Sequence, residues 1–301
     1  MSIDGLITKI KEKENPTVAG LDPKLEHIPA YLVEEAFGRC GRNLGGAAEA
    51  VWQFNKRLID ALYDIVPAIK PQSAYYELYG WEGVRALART IEYAKRRGLY
   101  VIADVKRNDI GTTAAAYAEA YLGASEIGGA GEEAFGADSV TVNGYLGSDG
   151  VKPFLSYGKS IFVLVKTSNP SSGELQDLTV GGETVYRRMA ALVKEWGAGS
   201  VGRYGYSEVG AVVGATYPAQ LAELRKEMPE TYFLVPGYGA QGGGAKDVAA
   251  AFREDGLGAV INASRSIMCA YKKEGYRPED FARAAREEAV RMRDEIRGCI
   301  F

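Results

Sequence analysis

Short apolar runs recur along this chain, and most are followed by a stretch whose apolar residues return every three to four positions. The runs 17–22, 68–71, 100–106, 139–143, 161–167, 209–215, 232–236 and 259–263 predict strands, too continuously apolar to show one wet face. Between them, 50–65, 84–97, 184–196, 217–227 and 245–253 carry the spacing of helices that cover a sheet. Eight strands alternating with helices in 301 residues predict an α/β fold of the (β/α)8 barrel type. An open doubly wound sheet is the runner-up, disfavoured by the strand count and by where the polar residues fall. No linker or composition break divides the chain, so residues 1–301 are expected to form a single barrel domain.

Two segments interrupt the alternation. Residues 24–48, after the first strand, are Gly-rich and lack strong periodicity, predicting an extended loop. Residues 168–182, after the fifth, are rich in Ser, Gly, Asn and Pro. Both follow a strand, on the side where barrel enzymes keep their active-site extensions.

Composition removes whole classes of function. A net charge of −3 gives no basic footprint for nucleic acid or an anionic membrane surface. No uninterrupted apolar run is long enough to span a bilayer, and the N-terminus lacks a signal pattern. Cys40, Cys269 and Cys299 are few, odd in number and far apart, as expected of free thiols in a reducing cytoplasm. The single histidine, His27, excludes multi-histidine metal sites and reads as a surface residue of the 24–48 segment. Acid–base chemistry therefore falls to lysines and carboxylates.

Those residues collect where strands finish. The third strand ends in Asp104-Val105-Lys106-Arg107-Asn108-Asp109-Ile110, and period-two alternation aims Asp104 and Lys106 to one side. Asp22 closes the first strand, Lys70 the second, and Ser168 follows the fifth. Any one of these reads as solvated charge or a barrel-end ion pair. Gathered at successive strand ends they point to use, because crowding charges in a confined mouth is costly.

After the seventh strand, Gly237-Tyr238-Gly239-Ala240-Gln241-Gly242 spells the dinucleotide fingerprint in the wrong place: six strands precede it, and the next strand ends without an acid. A phosphate grip fits better, since loops after the seventh and eighth barrel strands bind phosphate through backbone N–H groups. Gln241 adds an amide donor and Arg265 a bidentate guanidinium. No Walker pattern is present. The residues thus describe a barrel that holds a small phosphorylated molecule and performs proton or carbanion chemistry with a lysine. A barrel that merely binds such a metabolite is the non-catalytic alternative.

In six ordered motifs the chain resembles orotidine 5′-phosphate decarboxylases of the longer bacterial type (the type 2 subfamily). They are Leu21-Asp22-Pro23, Ile69-Lys70-Pro71, Asp104-x-Lys106-x-x-Asp109-Ile110, Lys166-Thr167-Ser168-Asn169-Pro170, Val235-Pro236-Gly237 through Gln241, and Ser264-Arg265-Ser266-Ile267. The resemblance implies cofactor-independent conversion of orotidine 5′-phosphate to UMP and CO2 in pyrimidine biosynthesis, with no metal. It implies a charge array of Lys70, Asp104, Lys106 and Asp109, with Lys106 protonating a C6 carbanion. Asp22 and Lys70 would hold the ribose and Ser168 the pyrimidine. Gln241 and Arg265 would clamp the phosphate beside Pro236 and Ser264. Asp109, Ile110 and Thr113 would cross into the partner's site of an obligate homodimer. Sugar-phosphate enzymes resembling 3-keto-gulonate-phosphate decarboxylase share Asp-x-Lys-x-x-Asp, but are metal-dependent and place an acid where this chain has Lys70.

Overall fold

The computed structural model describes residues 1–239 and 243–300. Eight parallel strands close into a barrel: Thr17–Leu21, Ala68–Pro71, Tyr100–Arg107, Ser139–Val142, Ser160–Lys166, Val209–Val213, Phe233–Val235 and Ala259–Ala263. Each pairs with its neighbours in chain order, and the first closes the ring against the eighth, Thr17 facing Ile261. The expected barrel is the one observed. Every predicted strand is present, with ends shifted by a residue or two.

Alternation along the strands sorts side chains into two cores. Ala19, Ile69, Val101, Val140, Ile161, Ala211, Phe233 and Ile261 point outward into the layer beneath the helices. Val18, Ala68, Ile102, Phe162, Val212, Leu234 and Val260 fill the barrel's interior. The N-terminal helix Ile3–Lys13 seals this inner core from below, burying Ile3, Leu6, Ile7 and Ile10, one face of a helix at i, i+3, i+4 and i+7. With the floor filled by apolar side chains, the one open end lies at the carboxyl ends of the strands.

The segment 24–48 is not an extended loop. It folds as a 3₁₀ turn at Leu25–His27, a helix at Ala30–Cys40 and the start of a longer helix, Leu44–Leu62. The helix Ala30–Cys40 buries only Leu32 and Ala36, too sparse a stripe to register as periodicity. Asn43 caps its successor, its side chain accepting from the Gly46 N–H. The segment 168–182 contains a 3₁₀ turn, Pro170–Glu174, and one strand of a small hairpin, Thr179–Val180 paired with Glu183–Thr184. A second hairpin, Ser125–Ile127 with Ala130–Glu132, projects after the helix Gly111–Leu122. Among the described residues no helix is long and apolar enough to cross a membrane.

Candidate active site

A cavity of about 590 Å³ opens at the carboxyl ends of the strands. Its floor is the last inward-facing layer: Lys70, Asp104, Thr141, Leu164, Val212, Leu234 and Asn262. Gly20 belongs to the same layer, and a side chain there would displace its neighbours. A Cβ there would fall 2.0 Å from Ser264 Oγ and 3.0 Å from Asn262 Oδ1.

Asp104 is the centre of the polar part. It is 6% exposed, and its two oxygens accept four hydrogen bonds. Lys70 Nζ at 2.6 Å and Gln72 Nε2 at 3.0 Å donate to Oδ2. Lys106 Nζ at 2.6 Å and Thr141 Oγ1 at 2.8 Å donate to Oδ1. Burial alone would raise its pKa, but the two ammonium groups outweigh that and hold the carboxyl well below the usual range. Burial likewise opposes the charge on Lys70. Asp104, with Asp22 at 3.9 Å, overrides it and keeps the amine above its ordinary value.

The two lysines differ in freedom. The Lys70 side chain is 5% exposed, whereas that of Lys106 is 44% exposed toward the cavity. Simple alternation does not produce this placement. Between Ala103 and Arg107 the third strand slips register against the fourth, and Lys106 adopts φ +46°. Its N–H is held by Thr141 Oγ1 at 2.9 Å. A bulge with one residue in the left-handed region re-aims a side chain at a cost in backbone energy, a combination that clusters at functional sites.

Asp22, Ser168, Pro236, Ser264 and Arg265 also line the cavity. Asp22 Oδ1 is buried and has no hydrogen-bond partner; its nearest cation is Lys70 Nζ at 3.9 Å. Arg265 follows the eighth strand, separated from the third by the first and second. Gln241 lies outside the described residues. Asp109, Ile110 and Thr113 are not among the residues that line this cavity. Asp109 Oδ1 accepts from the Ile110 N–H at 2.8 Å, and Ile110 is 58% exposed.

Known proteins carry the same pattern. The model of the orotidine 5′-phosphate decarboxylase / HUMPS family matches residues 47–275. The chain is 45% identical over 290 residues to the orotidine 5′-phosphate decarboxylase of Rhodopirellula baltica, covering 94% of each chain. This chain belongs to the orotidine 5′-phosphate decarboxylase / HUMPS family. It is also 41% identical over 302 residues to the Clostridium acetobutylicum orotidine 5′-phosphate decarboxylase, at 99% of each chain. The structure of Leishmania donovani OMP decarboxylase superposes with a TM-score of 0.73 at 30% identity, covering 100% of this chain and 99% of that one.

Several cavity residues of this family member escaped the sequence reading. Thr141 and Asn262 are short polar side chains on buried strands, and inward alternation on the fourth and eighth strands places both at the cavity. His27 is not a surface residue. With Lys24 and Glu26 it lines the cavity, its side chain only 12% exposed. Burial lowers its pKa, against the raising effect of a hydrogen bond to the Asp22 backbone. The 3₁₀ turn that carries it is tied to the segment after the eighth strand, Tyr271 Oη donating to the His27 carbonyl at 3.2 Å.

Proposed function

We propose that this protein decarboxylates orotidine 5′-phosphate to UMP and CO2, the last step in making UMP, with Lys106 as the proton donor. Loss of CO2 from C6 of the pyrimidine leaves an electron pair that no adjacent carbonyl can delocalise. An ammonium fixed beside C6 stabilises that charge as it develops and then delivers the proton. The observation that supports Lys106 in this role is its contrast with Lys70. Both donate to Asp104 at 2.6 Å, but only Lys106 has a substantially exposed side chain on the cavity wall.

Magnitudes limit what that pair can do. One charge pair about 4 Å apart, at an effective dielectric near 20, contributes about 4 kcal/mol. Enzymes remove roughly 8–23 kcal/mol of barrier. Binding energy from parts of the substrate that do not react must supply much of the rest. In this assignment Arg265 and Gln241 grip the phosphate beside Pro236 and Ser264, Asp22 and Lys70 hold the ribose hydroxyls, and Ser168 meets the pyrimidine. The position of Asp22 and Lys70 together on the cavity wall and the exposed Arg265 at its mouth support these roles.

The site is completed by a second copy of the chain. Asp109, Ile110 and Thr113 do not line their own cavity, and an exposed isoleucine beside a carboxylate is what a shared site would present. Free thiols at all three cysteines fit a reducing cytoplasm. Purified protein mixed with orotidine 5′-phosphate should convert it, followed by pyrimidine absorbance. Lys106→Ala should abolish turnover while leaving UMP affinity within a modest factor; a Lys106→Ala enzyme with full activity would overturn the assignment.

A further inference from the structure

One fully buried cation takes no part in the chemistry above. Lys166, the last residue of the fifth strand, is 0% exposed. Alternation from Leu164, which lines the cavity, would turn Lys166 inward. A register shift prevents it: Leu164 pairs with Val212 but Lys166 pairs with Val213. The extra residue leaves Val165 and Lys166 in succession off the cavity wall and returns Thr167, Ser168 and Asn169 to it.

Outside the wall, Lys166 meets a built pocket. Its Nζ donates to Asp177 Oδ1 at 2.7 Å and Ser172 Oγ at 3.2 Å. The same nitrogen lies 4.6 Å from the Tyr217 ring centroid and 5.7 Å from that of Tyr186. Both oxygens belong to the segment that follows the fifth strand. Alongside, the Gln176 side chain accepts from the Thr167 N–H at 2.9 Å and donates to Thr167 Oγ1 at 2.7 Å. A desolvated ammonium is costly unless paired and hydrogen-bonded, so it fixes wherever its carboxylate goes. From the other side the backbone just after the sixth strand presses on Ser168, where a Cβ on Gly214 would fall 2.8 Å from Ser168 Cβ.

We propose that Lys166, through Asp177, is a positioning residue that bolts the 170–184 segment to the fifth strand and thereby fixes Ser168 against the substrate. This takes the decarboxylation proposed above as given. The test is a double-mutant cycle of Lys166→Met with Ser168→Ala, reading kcat and KM for orotidine 5′-phosphate. Lys166→Met should lower kcat/KM about tenfold or more, and Ser168→Ala should then cost little further, because coupled residues are non-additive. An equal penalty for Ser168→Ala in both backgrounds would mean that Lys166 is merely structural and would overturn the proposal.

If Lys166→Met does not fold, Asp177→Ala replaces it in the cycle, because that side chain is 44% exposed and lies outside the barrel strands. Asp177→Ala should also speed proteolytic cutting within 170–184; an unchanged cutting rate would overturn the anchor by itself. The proteolysis arm needs no turnover. A wild-type chain that leaves orotidine 5′-phosphate unconverted would refute the assigned reaction, while the anchor is still judged by cutting.

Discussion

Asp104 shows how much a single buried side chain can hold together. Its four donors saturate a carboxylate, and two of them are cations. Because its folded-state pKa is depressed, the group adds stability that is fully present above the unfolded carboxyl value, about 3.9. That stability is lost as pH falls through the folded value. Denaturant unfolding measured from neutral pH down to pH 3 should therefore show a steeper acid loss in wild type than in Asp104→Asn. Identical pH slopes would mean that the carboxylate is not held by its lysines. The variant should also be less stable near neutrality, since Lys70 would remain buried beside a neutral amide.

At the scale of elements, the N-terminal helix is the clearest case of burial at work. It plugs the barrel with four apolar residues, each no more than 4% exposed. Leu6→Ala should cost about 2–5 kcal/mol, measured by equilibrium unfolding, with little change in kcat because the cavity lies at the far end. The strands were legible in the sequence because strands buried on both faces read as unbroken apolar runs. Helices covering the sheet were legible where their stripe is full, as in Leu44–Leu62 with eleven buried residues. The helix Ala30–Cys40 was not, because two buried residues leave no period to read. Of the site, the strand-end charges were visible. Thr141 and Asn262 were hidden by their ordinariness, and the left-handed turn at Lys106 has no sequence signal, since lysine has no preference for it. Nor did the motif Lys166-Thr167-Ser168 betray that its lysine faces away from its serine. A bulge decides that, and bulges depend on the neighbouring strand.

For the whole molecule, the decisive question is whether one barrel suffices. Asp109 lies three residues beyond Lys106 yet does not line its own cavity, so in the proposed homodimer each site draws on two chains. Dimers assembled from Lys106→Ala and Asp109→Ala chains should then recover one competent site, giving about a quarter to a half of wild-type activity per dimer according to how subunits exchange. Mixtures that stay as inactive as either parent would mean that each barrel works alone. Adding salt should leave the Asp104 cluster largely unaffected, since buried pairs are screened far less than exposed ones.

The left-handed backbone at Lys106 carries a last consequence. A non-glycine residue held there gives up roughly 1–2 kcal/mol relative to an unstrained position, and an engineer selecting only for heat resistance would be drawn to replace it. With Lys106 as the proton donor proposed above, the most robust barrel obtainable by that route would be a dead one. Durability and turnover compete at this single peptide, and a screen on this fold has to score both.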